Sequence, residues 1–389
     1  MKYDFDEVID RKNTNSLKYD FAAKRGKPED ILPLWVADMD FRTPPCVADA
    51  LAEKCRHGIF GYSDIDDTYF SVLQDWFSRR FGWDVKQDWL IKTPGVVTAI
   101  HIAVRALTEP GDAVIIQQPV YYPFSSAVTT TGRKLVVNQL VLRDGRYEIN
   151  FDDFESKVTG NNVKLFILCS PHNPVGRVWT KDELVRLGDI CLRHGVTVIA
   201  DEIHQDFVYP GHRHQVFADL SPELRDITVT CTAPSKTFNL AGLQISNIFI
   251  ANPNMRRAFI REYAASGLSQ LGIMGLVACK AAYSGGEDWL EALESYLNGN
   301  LAFLRGFLAR ELPEIRLIEP EGTYLVWLDC RGLGLSPSKL DDLIVYKAGL
   351  WLDDGPMFGA GGEGFQRINI ACPRSVLEQA LSRLRRVLR

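Results

Sequence analysis

Three apolar, β-branched runs constrain the fold of this chain more than any other feature, because each leads into a polar side chain. The runs span residues 163–169, 196–200 and 227–231. The polar residues that follow them, in the same order, are Asn173, Asp201 and Lys236. Such runs are typical of strands buried in a sheet, and ligands of open α/β sheets bind outside the carboxyl ends of the strands. The pattern predicts one binding site at which these three side chains converge.

The lysine carries the most chemical information. A lysine in the turn after a buried strand is desolvated without compensation, which is unfavourable unless the amine is used. A desolvated amine has a lowered pKa and attacks carbonyls, as a Schiff base with an aldehyde cofactor requires. Lys236 therefore suggests pyridoxal phosphate, and a solvated loop lysine is the alternative.

The two other strand ends fit the same cofactor. An aspartate beside the pyridine nitrogen keeps it protonated and makes the ring an electron sink, which suits Asp201. An asparagine amide can donate to the phenolate oxygen of the ring, which suits Asn173. The alternatives are a helix cap for Asp201 and a turn former before Pro174 for Asn173.

A phosphate site is predicted at residues 93–98, just before a helical pattern, where Gly95, Val96 and Val97 would offer free N–H groups to an anion. The nucleotide-binding motif G-x-x-x-x-G-K-[ST] does not occur in the chain. Tyr121, which follows the strand-like run 113–116, could stack on a flat ring, or it could simply pack in the core.

These motifs together resemble the fold-type I pyridoxal phosphate enzymes of the class I/II aminotransferase superfamily. The motifs are, in order, Gly95-Val96-Val97, Tyr121, Asn173-Pro174-Val175-Gly176, Asp201 and Ser235-Lys236-Thr237. Three further segments are similar to the cystathionine β-lyase branch called MalY/PatB, which are C–S lyases. These segments are Leu34 to Phe41, Phe60-Gly61-Tyr62 and Ser235 to Gly242. The resemblance extends from about Pro33 to Arg374.

The resemblance implies a role for each candidate site residue. It implies that the catalytic residues are Lys236, Asp201 and Tyr121. It implies that the cofactor-binding residues are Gly95, Val96, Val97, Tyr121, Asn173, Asp201, His204, Ser235, Lys236 and Tyr62. It implies that the substrate-binding residues are Arg367, Ala37, Asp38, Tyr122 and Asn173. No metal is expected. Tyr62 would reach the phosphate of the neighbouring subunit, which predicts a homodimer with shared sites.

Arg367 has independent physical support, because a planar guanidinium pairs bidentately with a carboxylate. A surface salt bridge is its alternative. Two positions depart from the aminotransferase pattern: Gln244 replaces a phosphate-binding arginine, and His204 replaces a tyrosine. Ser235, Thr237 or backbone groups must then compensate at the phosphate, and the second donor to the ring oxygen stays open. The resemblance also implies a cis peptide bond between Asn173 and Pro174.

The fold class predicted is α/β: a large domain with a mostly parallel, mixed sheet sandwiched by helices, plus a smaller α+β domain. Residues 48–285 would form the large domain, and residues 1–47 and 286–389 the small one, with the site in the cleft between them. The glycine-rich segment 355–365 is predicted to be either a mobile loop over this cleft or an irregular connection before Arg367.

The reaction predicted is α,β-elimination from cystathionine or a related cysteine S-conjugate, with Lys236 as general base, giving a thiol, pyruvate and ammonia. An aminotransferase is the alternative. A pyridoxal phosphate-binding regulator is a third hypothesis. It is disfavoured because such regulators usually carry a DNA-binding module, for which little chain precedes Trp35.

Composition agrees with a small-molecule enzyme. The formal charge of -5 disfavours nucleic acid as a partner, and the eight cysteines show no C-x-x-C pair, as in a reducing compartment. Residues 1–16 lack the apolar stretch of a signal peptide, and residues 268–279 are too few to span a bilayer. A cytoplasmic location without membrane contact is therefore expected.

Overall fold

A computed structural model describes residues 3–389; residues 1 and 2 of the predicted segment 1–47 lie outside the described residues. The helices are α1 Pro45–His57, α2 Asp67–Phe81, α3 Val96–Leu107, α4 Pro123–Thr129, α5 Phe151–Gly160, α6 Lys181–His194, α7 Pro222–Asp226, α8 Pro234–Thr237, α9 Pro253–Ala265, α10 Ile273–Gly285, α11 Glu287–Glu311, α12 Pro337–Asp342 and α13 Arg374–Leu388. The strands are β1 Leu32–Pro33, β2 Leu90–Thr93, β3 Ala113–Gln118, β4 Lys134–Gln139, β5 Val141–Arg143, β6 Arg146–Glu148, β7 Val163–Cys169, β8 Thr197–Asp201, β9 Thr228–Thr232, β10 Ser246–Ile250, β11 Arg316–Leu317, β12 Leu325–Asp329, β13 Leu350–Trp351, β14 Asp353–Asp354 and β15 Phe365–Asn369.

The main sheet has seven strands in the order β2-β10-β9-β8-β7-β3-β4, and only β10 runs antiparallel to its neighbours. Its central strands β3, β7, β8 and β9 are almost entirely buried because both of their faces are covered. Within β7, Leu165 and Ile167 join a core with Ala99 of α3, whereas Phe166 joins a second core with Leu184 of α6. The mostly parallel, mixed sheet sandwiched by helices is thus confirmed.

A second, antiparallel sheet has the order β11-β12-β15-β14. Helices α11 and α13 contribute apolar residues to the large core that also contains Leu325 and Ile368 of this sheet. The α+β character predicted for the C-terminal part is therefore present. Helix α1 starts at Pro45, so the predicted boundary between residues 47 and 48 falls inside a helix, and the division into domains stays a prediction.

The order of the main sheet brings the polar strand ends together. In the strand register, Asp201 at the end of β8 lies beside Cys169 of β7 and Cys231 of β9. Helix α8, which carries Lys236, begins two residues after β9 ends. The Asn173–Pro174 peptide bond is cis, as predicted.

No helix among residues 3–389 has the length and apolar character needed to cross a membrane. The segment 268–279 ends inside α10, which has 13 residues. At about 1.5 Å per residue, such a helix is far shorter than a ~30 Å hydrocarbon core.

Candidate active site

A cavity of about 290 Å³ opens at the carboxyl edge of the main sheet. Its volume lies just below the ~300–1,000 Å³ range of small-molecule sites. Twelve of the predicted site residues line it: Ala37, Gly95, Val96, Val97, Tyr121, Tyr122, Asn173, Asp201, His204, Ser235, Lys236 and Arg367. Two predicted residues, Asp38 and Tyr62, are not part of this lining. The three strand-end residues therefore line one cavity.

Lys236 reaches the cavity from α8. Desolvation by the surrounding protein lowers the pKa of its amine to about 8, and the nearby charges modify this effect in both directions. The carboxylates of Asp38 and Asp201 favour the ammonium form, whereas the guanidinium of Arg367 disfavours it. A substantial fraction of the amine is therefore neutral, and nucleophilic, near physiological pH.

Asp201 is the last residue of β8 and is buried. Its Oδ1 accepts a hydrogen bond from the backbone N–H of Ile203 at 3.2 Å. Burial raises the pKa of its carboxyl to about 7, while the charge of Lys236 favours ionisation. A buried carboxyl with so few partners gains most from a cationic or N–H donor brought in by a ligand.

The first turn of α3 lies at the cavity, where an anion site is predicted. Gly95 precedes the helix with φ at +100°, a backbone conformation that favours glycine. No side chain of residues 3–389 caps this helix, and Val96, Val97 and Thr98 line the cavity. Their free N–H groups and the helix dipole together favour a bound phosphate.

Only some of the groups expected to compensate for Gln244 face this anion site. Ser235 and Gln244 line the cavity. The hydroxyl of Thr237 instead donates to Asp206 Oδ2 at 2.7 Å, on the buried side of α8. Of the groups predicted to compensate, Ser235 and the backbone therefore stay available at the cavity, and the Thr237 side chain contributes to the support of α8.

Arg367 lies in β15 and is buried, so the surface salt bridge considered as its alternative is excluded. Its Nη1 donates to Asn173 Oδ1 at 2.9 Å, and its Nη2 donates to the Trp35 carbonyl at 2.9 Å and to the Asp353 carboxylate. Its Nε has no hydrogen-bond partner in the described part of the chain. The guanidinium is thus held in place and retains an unused donor.

Asp353 is a cavity residue that the sequence analysis missed. It lies opposite Arg367 in the β14–β15 register, and burial raises the pKa of its carboxyl although the guanidinium opposes this. An aspartate directly after the apolar run 350–352 was the only available signal. That signal does not identify Arg367 as the partner, because the pairing depends on strand register.

Two predicted residues lie elsewhere in the described chain. The carboxylate of Asp38 pairs with Arg11, while the neighbouring Ala37 lines the cavity. Tyr62 lies between α1 and α2 with 94% of its surface exposed. It does not reach the cavity of its own chain.

His204, which follows β8, and Tyr121, which follows β3, both line the cavity. His204 is buried, and burial lowers the pKa of its imidazole. Its Nδ1 is buried and has no hydrogen-bond partner within residues 3–389. Tyr121 follows β3, its backbone N–H donates to the Asn173 carbonyl at 3.1 Å, and its ring lies 5.4 Å from that of Tyr122.

The glycine-rich segment 355–365 packs tightly as a connection. A Cβ on Gly359 would lie 2.2 Å from Cδ of Gln118, and a Cβ on Gly355 would lie 1.9 Å from the carbonyl oxygen of Gly362. Gln118 Oε1 accepts from the Ala360 N–H at 2.9 Å. These contacts favour the irregular connection over a mobile loop.

Comparison with known proteins agrees with this geometry. Residues 29–384 match the family model described as aminotransferase class I and II. The chain is 44% identical to cystathionine β-lyase PatB of Bacillus subtilis over 99% of both chains. It superposes with a TM-score of 0.96 on cystalysin from Treponema denticola, a structure that contains pyridoxal 5'-phosphate, at 40% identity over 100% of this chain and 99% of that one. A PLP-bound C–S lyase from Staphylococcus hominis superposes with a TM-score of 0.93 at 34% identity, over 99% and 98% of the two chains.

The similarity covers the whole cavity as well as the fold, since every strand end that lines it falls within the matched residues. The chain belongs to the class I and II aminotransferase family and, within it, to the MalY/PatB branch.

Proposed function

We propose that this protein is a pyridoxal phosphate-dependent C–S β-lyase that performs α,β-elimination on cystathionine or related cysteine S-conjugates. The products are a thiol, pyruvate and ammonia. The proposal depends mainly on one observation: a single cavity contains an amine with a lowered pKa, a buried carboxyl group and a guanidinium that can bind a carboxylate. These groups belong to Lys236, Asp201 and Arg367. Two relatives that cover nearly the whole chain are named cystathionine β-lyase and C–S lyase.

The residues present fit the cofactor. The uncapped start of α3 suits its phosphate, Asp201 suits its pyridine nitrogen, and Asn173 and His204 suit its ring oxygen. Lys236 provides the amine that the aldehyde requires. Pyridoxal phosphate, when bound, supplies an electron sink for the charge left on the substrate Cα.

The chain's own groups then bind the substrate and move its proton. Arg367 pairs with the substrate α-carboxylate and fixes its orientation, because its guanidinium is already held by Asn173 and Asp353. The amine of Lys236 takes the Cα proton as general base. The β-thiolate departs, and the ring of Tyr121 forms a flat wall of the cavity.

The test of this function is incubation of the cofactor-loaded protein with cystathionine in the absence of any keto acid. We expect pyruvate and free thiol to accumulate together over many turnovers per site. Pyruvate is measured by coupled reduction, and thiol by a disulfide reagent. A mixture that forms neither product without a keto acid, but exchanges amino groups once a keto acid is added, would identify an aminotransferase instead.

The working unit proposed is a homodimer with shared sites. On the single chain, Ile59, Phe60 and Tyr62 are exposed by 66%, 57% and 94%, all within the short segment between α1 and α2. Clustered exposed apolar side chains mark surfaces that a partner covers, and two-fold symmetry is the commonest arrangement for such a partner. Tyr62 would then complete the phosphate site of the other subunit.

Subunit mixing tests the shared site. Tyr62→Phe and Lys236→Ala homodimers are expected to be weakly active or inactive, and their 1:1 mixture should recover about a quarter of wild-type activity once subunits exchange. Half of the dimers are then hybrids, and each hybrid holds one site with both lesions and one with neither. Exchange is verified with two affinity tags. Absence of recovery despite exchange would place Tyr62 in its own subunit's site or outside both sites.

A cytoplasmic location is part of the proposal. All eight cysteines, each within the described residues, are free thiols, and six of them are buried. Buried thiols without disulfides suit a reducing compartment.

A further inference from the structure

One wall of the cavity is tied to the turn that carries Lys236. This wall loop, residues 35–41, contains Asp38 at its centre. The side-chain oxygen of Asn239, three residues after Lys236, accepts from the Met39 N–H at 2.9 Å, and the Asn239 amide donates to the Met39 carbonyl at 3.1 Å. Asp38 is therefore held at a defined position relative to the Lys236 turn.

Neutral groups complete the support of the wall loop. Asn369 Nδ2 donates to the Asp38 carbonyl at 3.0 Å, and the Tyr324 hydroxyl donates to the Ala37 carbonyl at 2.7 Å. Two cations add to this support, since Arg11 Nη1 donates to the Met39 carbonyl and Lys18 Nζ donates to the Asp38 carbonyl, each at 3.2 Å. The bonds from the neutral groups remain when the charge of Arg11 is removed, and they continue to hold the backbone around Asp38.

The carboxylate of Asp38 belongs to a cluster of two cations and two anions. Arg11 pairs with Asp38 through Nη2 and with Asp40 Oδ1 through Nη1, at 2.7 Å in the second pair. The fully buried Lys18 amine adds a 2.8 Å contact to Asp40 Oδ2. Asp40 thus pairs with two cations, whereas Asp38 pairs with one cation that it shares with Asp40. The negative charge of Asp38 is therefore less fully compensated than that of Asp40.

That field acts on Lys236. Asp38 follows Ala37, which lines the cavity together with Lys236, and its carboxylate favours the ammonium form of that amine, as Asp201 on β8 does, whereas Arg367 on β15 disfavours it. His204, which faces the same amine, is a buried imidazole whose pKa is lowered by burial, so it adds no charge at neutral pH.

We propose that Arg11 is a positioning residue that acts through Asp38, by restraining the negative field that this carboxylate exerts on the Lys236 amine. A stronger field would keep the amine as an ammonium ion, which can neither attack an aldehyde nor accept the Cα proton. A weaker field would make the amine a poorer base. The inference rests on the proposed role of Lys236 as the amine linked to the cofactor.

The experiment compares variants by pH titration of the visible absorbance of the cofactor-loaded protein, from about pH 5 to about pH 10. Arg11→Met removes the cation at similar length, and Asp38→Asn removes the anion at constant shape. Arg11→Lys keeps the charge. The matched control is Arg42→Met, because Arg42 pairs with Glu7 of the same N-terminal segment at an exposed site.

The two test variants should shift the titration midpoint in opposite directions. Arg11→Met should raise it and Asp38→Asn should lower it, each by about 0.5 to 1 pH unit, as expected for one charge at moderate distance. The acidic limb of the kcat profile should move in the same directions. Arg11→Lys and Arg42→Met should keep the wild-type midpoint.

Shifts of both variants in one direction, or of neither, would overturn the inference, because a role in stability alone cannot produce opposite signs. If Arg11→Met does not fold, the inference is tested with Asp38→Asn and Arg11→Lys. It is supported only if Asp38→Asn lowers the titration midpoint and Arg11→Lys leaves it unchanged. Retention of the visible band in Lys236→Ala would instead contradict the proposed function.

Discussion

Lys236→Ala should abolish the visible absorbance of the lysine-bound cofactor and reduce turnover of cystathionine by at least about 10³-fold, or about 4 kcal/mol in the barrier. The variant removes both the amine that attaches the cofactor and the general base. Its fold should persist, because the side chain ends in the cavity and α8 is anchored by Thr237 and Asp206. Absorbance spectroscopy, a pyruvate assay and circular dichroism measure the three properties.

A lysine far from the cavity provides the control for this variant. Lys157 is a partly exposed residue of α5 that pairs with Asp153, so Lys157→Ala should retain the band and the activity. An intact visible band in Lys236→Ala would assign the cofactor-linked amine to another residue.

Asp201→Ala should keep the cofactor attached but lower turnover by about 10²- to 10⁴-fold, because a pyridine nitrogen without an anionic partner is a weaker electron sink. Asp201→Asn removes the charge but fills the same buried space. We expect its turnover to be lowered to a similar extent, because the lost charge and not the lost volume is responsible. Stopped assays of pyruvate and the visible spectrum of each variant provide the measurements.

The control for these variants is Asp219→Ala, since Asp219 is a partly exposed residue that pairs with Arg225. It should keep wild-type turnover. Near-normal activity in both Asp201 variants, with the cofactor bound, would remove Asp201 from the mechanism and leave the pyridine nitrogen without the assigned partner.

Much of the site was predictable because its determinants are local. An apolar run followed by a polar turn identifies a strand end, and parallel strands place their carboxyl ends at one sheet edge. This rule alone brings together Asn173, Asp201 and Lys236, and the glycine before α3 adds the helix start that lines the same cavity. This prediction needed neither the strand register nor the exact ends of the helices and strands.

The charge partners of the site could not be predicted in this way. Asp353 meets Arg367 through strand register, Thr237 meets Asp206 across 31 residues, and Arg11 meets Asp38 across 27. The chain has 44 basic and 49 acidic residues, so composition leaves a very large number of possible pairs. Only burial, which makes an unpaired charge costly, selects among them.

By itself, the sequence determined the α/β fold, the family and the cavity's principal groups, since strand ends, glycine turns and helix starts act through local backbone geometry. Only the tertiary structure decided the setting of those groups: the anchored Arg367, the tight 355–365 connection and the wall loop held beside Lys236. The physical reason is the distance along the chain over which each interaction acts. The hydrogen bonds of helices and turns and the hydrophobic periodicity depend on a few consecutive residues. Desolvation and charge pairing depend on segments that meet only after the chain has folded.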